Sequence, residues 1–407
     1  MNNRRQFIQA AFGSSALVSL AHRVPPVLLG ASARTSTRRG ERILIVIQLS
    51  GGNDGLNTVI PYGDDEYFRN RFTLAIDEGQ VAKIDDQVGL HPALDGFSGL
   101  LDENRLAIVQ GVGYPNPNRS HFESMDLWHT AHRIGESRQL GWIGRCLDSR
   151  PSMQGELPAI HYGGEKQPLA LGTRTRPVPT IASLDQFRLE NGGNRQFAST
   201  IRSDLDIPRD RQNPLLGFVH ESAQVAMQTS HRLENVIDSA DTVDQFPNTR
   251  LGRKLAAVAQ LIDSGLPTRI YYVTHEGFDT HSNQAEAHAS LLGELGDATA
   301  ALMNALQGGG HADRTAIMTF SEFGRRVREN ASRGTDHGTA APLFLAGGRI
   351  RSGLANAHPD LTDLEQGDLR FTVDYRQVYA TVLEKWLNID SQPILGGQFE
   401  LLDLFQV

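Results

Sequence analysis

The sequence predicts an α/β protein with a doubly wound, mostly parallel sheet flanked by helices and interrupted by a loop-rich insertion or cap. Three observations carry this. Short continuous runs of apolar and β-branched residues recur along the chain, as in strands buried on both faces. Between them lie segments with an apolar stripe at helical spacing. Acids and imidazoles gather just past the apolar runs, where open α/β sheets place their ligands.

The first run is ILIVIQL, Ile43 to Leu49. RLAIVQGV (Arg105 to Val112), RIYYVT (Arg269 to Thr274), TAIMTF (Thr315 to Phe320) and PLFLAG (Pro342 to Gly347) read the same way. A helix begins near Ser282, with Leu291, Leu292, Leu295, Leu302 and Leu306 as its stripe and Ala298 between them. A late helix runs from about Tyr375 to Leu387, with Asp374 as its N-cap. Strands alternating with helices imply the doubly wound arrangement. Residues from about 150 to 250 are rich in Gly, Pro, Arg and Asn and carry weaker strand signals. They read as an insertion on a single domain spanning 42–407, with no internal repeat or low-complexity tract.

Composition narrows the class. The chain has 407 residues, 39% hydrophobic and 21% charged, which suits a large globular α/β protein with insertions. A formal net charge of -8 argues against a general nucleic-acid binder. The single cysteine, Cys146, rules out an internal disulfide and a Cys-based zinc cluster, and it reads as buried and structural. Any metal must be held by Asp, Glu and His, and fourteen histidines supply candidates.

The N-terminus carries an address. Arg4 and Arg5 precede Phe7, Ile8 and a weakly apolar run, as in a twin-arginine export signal. Ala31 to Ala33 offer a small-residue cleavage site, so residues 1–33 read as the signal and 34–41 as a linker. The apolar run is too short to span a bilayer, and no other segment approaches the length. The reading predicts a periplasmic or secreted protein, with the twin-arginine translocase as its export partner. A disordered basic tail is the competing reading. That route carries folded proteins, often with a cofactor loaded, which raises the expectation of a bound group.

The polar residues fall at strand ends. After the first run comes SGGNDGLN, with Asp54 in a Gly-rich loop. After the second comes GYPNPNRSHFESMDLWH, with Ser120 and His121 at a helix start. After the third comes HEGFDTHSNQ, with His275, Asp279 and His281. SEFGRR follows the fourth, with Glu322, and GTDHG, with Asp336 and His337, precedes the fifth. Each has a plainer reading. Asp54 stabilises a turn. Ser120 and Glu123 form a capping box, which is compatible with an anion at the same helix start. Glu322 pairs with Arg325 or Arg326 on a following helix. Asp336 and His337 sit in a Gly-flanked turn. Such groups at five strand ends favour a shared site, and an Asp-x-His pair is not what a lone structural histidine requires.

Together, LSGGNDGLN, NRSHFESMDLW, GFDTHSNQ, SEFGRR and GTDHGTAAPLFLAGG resemble a family of twin-arginine-exported bacterial proteins of unknown function (domain of unknown function 1501). That family is grouped with the alkaline phosphatase and sulfatase superfamily, and the resemblance covers about Arg42 to the C-terminus. It implies an alkaline-phosphatase-like fold with one or two divalent ions (zinc, manganese, magnesium or calcium) at the carboxyl edge of the sheet. Asp54 then matches a ligand of one metal and Ser120 the nucleophile. Asp279, His281 and His337 match ligands of the other metal, and Glu322 stands where an Asp-His pair is usual. Phe323 follows Glu322, so one imidazole of that pair is missing. In an alternative mapping Asp336 and His337 are the adjacent pair. No Cys-x-Pro-x-Arg motif lies near Ser120, so formylglycine chemistry is not expected.

The implied activity is metal-dependent hydrolysis of phosphate or sulfate esters, of a small molecule or a glycan. Ser120 attacks, and His121 or His275 donates a proton to the leaving group. A single-metal version uses water and leaves Ser120 a binding role. Two rival readings are a catalytically silent protein that binds a metal, glycan or partner protein, and a metal-free serine hydrolase.

Overall fold

A strand with apolar residues on both faces must be covered on both, and β1 (Ile43–Ser50) is. Ile43, Ile45, Ile47 and Leu49 enter one hydrophobic cluster, and Leu44 and Val46 enter another on the opposite face. Each such burial is worth about 1.5–3 kcal/mol of transfer free energy, so both helical layers are held by the same strand. The computed structural model describes residues 41–132, 140–149, 157–174, 177–184 and 245–406. The segment 1–33 expected to be an export signal, nearly all of the expected linker at 34–41 and most of the expected insertion at 150–250 lie outside the described residues.

Eight further strands complete the main sheet: β2 (Leu106–Gly113), β3 (Ala159–Tyr162), β4 (Thr180–Ile181), β5 (Ile270–Glu276), β6 (Thr315–Ser321), β7 (Ala341–Gly347), β8 (Gly353–Leu354) and β9 (Val373–Asp374). Their order is β8-β2-β7-β6-β1-β5-β3-β4, with β9 also on β2. β5 and β6 flank β1 in parallel, with Leu49 opposite both His275 and Ser321, so three carboxyl ends finish level.

β7 departs from the expected direction. It runs antiparallel to both β6 and β2. A parallel return needs a crossover of a dozen or more residues, usually a helix, and residues 322–340 contain none. The expected helix carrying Arg325 and Arg326 is therefore absent. The segment stays at the carboxyl edge of β6 and feeds β7 downward from there. Asp336 and His337, which precede β7, reach the shared edge only because of this reversal.

The helices that matter here are α1 (Asp65–Asn70), α2 (Asp95–Asp102), α3 (His121–Thr130), α4 (Trp142–Ser149), α5 (Arg250–Asp263), α6 (Gln284–Gly308) and α7 (Tyr375–Thr381). α6 buries Leu292, Leu295, Ala298, Leu302 and Leu306 of the expected stripe, while Leu291 is only partly buried at its edge. Asp374 caps α7 and Gln377 completes a capping box. One π-helical turn, Val382–Trp386, continues α7. Cys146 is a fully buried thiol on α4, in no disulfide. Ser120 is the N-cap of α3, but the expected box with Glu123 does not form, because its hydroxyl makes no capping bond. The backbone N–H that Glu123 would take donates to Asn118 Oδ1 at 2.7 Å instead. No described helix is long and apolar enough to cross a membrane.

Candidate metal centre

One buried guanidinium assembles the carboxyl edge. Arg325 has a side chain with no solvent exposure. It donates to the carbonyls of Gly52 (2.6 Å), Thr335 (2.8 Å), Phe278 (2.9 Å) and Gly51, and to Asp279 Oδ1 (2.8 Å). Loops after β1, β5 and β6 are thereby fastened to one group, whose planar fork suits several acceptors at once.

Residues 322–340 fold back as an irregular hairpin. Gly324 and Arg326 donate backbone bonds to Thr339 and Asp336, and Gly338 donates to Gly324. The two glycines of GTDHG are both close-approach positions. A Cβ on Gly334 would lie 2.2 Å from the His281 carbonyl carbon, and one on Gly338 would lie 2.5 Å from that of Arg325. The pair Asp336–His337 is thus pressed between the β5 loop and the returning strand.

Three histidines converge on one carboxylate. His281 Nε2 and His337 Nε2 lie 3.0 and 3.1 Å from Asp279 Oδ1, and 2.9 Å from each other. His121 Nε2 lies 3.5 Å from Asp279 Oδ2. Each ring has an acceptor behind its other nitrogen. His121 Nδ1 donates to Glu322 Oε1 at 2.9 Å, and His337 Nδ1 donates to the Arg119 carbonyl at 2.8 Å. His281 Nδ1 faces Asp336 Oδ1 at 3.5 Å. Acceptors at Nδ1 place the proton there, so in the neutral rings Nε2 presents a lone pair.

This arrangement fits a cation. The carboxylate and the Nε2 lone pairs are all acceptors, and the hydrogen bond from Arg325 does not satisfy them. Ligand atoms held about 2.0–2.2 Å from one ion sit about 3 Å apart, the spacing seen among Asp279 Oδ1, His281 Nε2 and His337 Nε2. Carboxylate or carbonyl support behind the imidazoles is what metal ligands require. Asp279, His121 and His337 also satisfy the spacing of a three-donor set. Side-chain exposures of 47% at Asp279, 44% at His281 and 34% at His121 leave the cluster open to solvent.

Electrostatics agree. Partial burial opposes ionisation of Asp279, but the Arg325 guanidinium, which donates to it, outweighs that cost and holds its pKa down at about 2. Asp336 is lowered chiefly by Asn330, which donates at 3.1 Å. His121 is raised above its ordinary value, first by its hydrogen bond to Glu322, against a smaller opposing cost of burial. Phe323, nearly fully buried, walls the cluster, with its ring centroid 4.6 Å from that of His337 and 5.0 Å from that of His121.

The structure therefore brings together Asp279, His281, His337, His121, Glu322 and Asp336, with Glu322 and Asp336 behind histidines. Asp54 lies apart. It is fully buried, takes both terminal nitrogens of the equally buried Arg71, and accepts from Gln284. Burial works against its ionisation, but Arg71 wins and lowers its pKa. His275 also lies apart: Nε2 donates to the Leu291 carbonyl at 3.1 Å, and burial lowers its pKa. Ser120 is exposed at the start of α3, one residue before His121. Sequence reasoning missed the clamp by Arg325, the pairing of Arg71 with Asp54 and the Arg119 carbonyl behind His337. No local pattern marks these long-range contacts.

A family model described as a protein of unknown function, DUF1501, matches residues 41–401. The chain belongs to this family. No curated protein matches it. Among solved structures, a DUF1501 chain of this kind is similar to a protein in the alkaline phosphatase superfamily from Vibrio parahaemolyticus. That match has 9% identity and a TM-score of 0.42, covering 95% of this chain and 76% of the other. The C-terminal periplasmic domain of EcEptC from Escherichia coli, in complex with Zn, matches at 8% identity and TM-score 0.38, covering 76% and 74%. The PsFucS1 sulfatase from Pseudoalteromonas sp. matches at 12% identity and TM-score 0.36, covering 98% and 72%.

Proposed function

We propose that this protein is an exported, metal-dependent hydrolase of phosphate or sulfate esters. The observation that carries the reading is the convergence of the Asp279 carboxylate with the Nε2 atoms of His281 and His337 within 3.1 Å at an open rim. Imidazoles and a carboxylate suit zinc or manganese. A divalent ion bound there would supply Lewis acidity toward an ester oxygen.

The chain's own residues do the rest. Asp336 and the Arg119 carbonyl fix the rings of His281 and His337. Arg325 fixes Asp279. His121, whose hydrogen bond to Glu322 favours its protonated form, is poised to donate a proton to the leaving oxygen. Ser120 is exposed beside it, and its hydroxyl is not spent on capping the helix. We assign it the attack on phosphorus or sulfur: the new bond from its Oγ replaces the bond to the leaving alcohol, which takes its proton from His121, the serine proton passes to solvent, and water then cleaves the phospho- or sulfo-serine to free the anion and restore the hydroxyl. Asp54 and His275 are assigned no chemical role, because both are buried away from the cluster, Asp54 against Arg71 and His275 with Nε2 on the Leu291 carbonyl. Export by the twin-arginine route belongs to the proposal and rests on Arg4, Arg5 and the Ala31–Ala33 site.

The test is hydrolysis of 4-nitrophenyl phosphate and 4-nitrophenyl sulfate by protein loaded with zinc or manganese, by chelated protein and by Asp279→Ala. Turnover that needs both the ion and Asp279 is expected. Metal uptake with no turnover of either ester would favour a second reading, a silent metal-binding protein. The occupation of Asp54 by Arg71 is the observation that supports it. Turnover insensitive to chelation would revive a metal-free serine hydrolase.

A further inference from the structure

Arg119, whose carbonyl holds His337, also lines an open pocket of about 490 Å³. Thr339, two residues beyond His337, is also part of its wall, so the pocket and the metal cluster are built from the same chain segments. Its size lies in the range of small-molecule sites, about 300–1,000 Å³.

The wall has a particular chemistry. Phe371 is 37% exposed and offers a flat apolar face. Asn116 and Gln366 contribute amides, which both donate and accept. Two arginines line the cavity, and both are already neutralised. Arg119 lies against Asp368, with Nε donating to Oδ2 at 2.8 Å. Arg370 pairs with Asp363 and Glu365. Asp368 is almost fully buried, and its Oδ1 lacks a hydrogen-bond partner, with Arg326 Nε next at 3.8 Å. A buried, half-satisfied carboxylate is costly to keep. Here it holds Arg119 extended along the wall and cancels its charge.

A charge-balanced wall with amides, an arginine fork and one aromatic face does not select a second anion. It suits a ring that carries hydroxyls on its edges and C–H groups on its faces. We infer that this cavity is a subsite for a neutral sugar ring, so that the ester bound at the metal cluster is that of a carbohydrate. The inference rests on the proposed hydrolase reading for its link to chemistry, but not for the binding itself.

Binding is tested on the full mature chain by saturation-transfer NMR with glucose, galactose, fucose and N-acetylglucosamine, each at millimolar concentration. At least one should bind, and Phe371→Ala should weaken it by about tenfold, as expected for loss of a stacking face. Asp368→Asn frees the charge of Arg119 and should weaken the sugar while letting inorganic phosphate compete. Circular dichroism confirms that both variants fold. No binding by any of the four sugars would overturn the subsite, as would binding that neither variant changes. Sugar binding without turnover of either nitrophenyl ester would sink the hydrolase and leave the subsite standing. Turnover without sugar binding would do the reverse.

Discussion

At the scale of single residues, the site is decided by what lies behind each imidazole. Glu322, Asp336 and the Arg119 carbonyl set three tautomers, and those set three lone pairs. Loss of such support costs 10–100-fold in metal affinity. Asp336→Asn, behind the ligand His281, should therefore weaken binding of zinc by about that factor while the fold survives, as read by competition with a fluorescent chelator. Glu322→Gln removes the charged partner that raises the proton donor His121, so NMR titration should show its pKa falling toward the ordinary histidine value. Asp54 is the contrasting acid. Arg71→Met leaves its carboxylate buried and unpaired, an effect of about 3–5 kcal/mol, and urea unfolding should show it with metal uptake unchanged. The pH dependence follows from the sign of the shift. Asp54 has a folded pKa below its unfolded value, so its contribution is present above the ordinary aspartate range. It is lost as pH falls through the folded pKa. Asp54→Asn should flatten that acid limb of the stability curve.

At the scale of elements, the reversal of β7 brings His337 to the site, and the hairpin of residues 322–340 makes the reversal possible. Gly338→Ala would force a Cβ against the Arg325 backbone. Overpacking of this kind costs about 1–3 kcal/mol. Because the strain falls between Arg325 and His337, metal affinity should drop more than global stability does, which calorimetric titration alongside thermal melting would separate. The strands themselves were legible, since runs such as Ile43–Leu49 are apolar on both faces and no other element explains them. Strand direction was not, because such a run reads the same in either sense. The irregular hairpin escaped notice because its anchor, Arg325, bonds to carbonyls up to 274 residues away. Asp279, His281 and His337 were legible from their places beside strands. Asp54 occupies an equivalent place, and nothing local to it announces Arg71.

At the scale of the whole molecule, two hydrophobic layers on opposite faces of one sheet hold the strand ends in fixed register. The site is the part that this scaffold does not satisfy internally. An ion that binds only the folded chain stabilises it by mass action, about 2.7 kcal/mol at a hundredfold excess over Kd. Thermal unfolding should move up by a few degrees with zinc or manganese and fall back with chelator. The shift should vanish in the double variant His281→Ala/His337→Ala.

The most direct measurement is the metal content of mature protein purified without chelators, by elemental analysis, beside Asp279→Ala treated identically. One divalent ion per chain in the wild type and none in the variant is the expected result. A wild-type chain that holds no ion and takes none up on titration, or a variant that keeps its ion, would contradict a metal centre built on Asp279, His281 and His337.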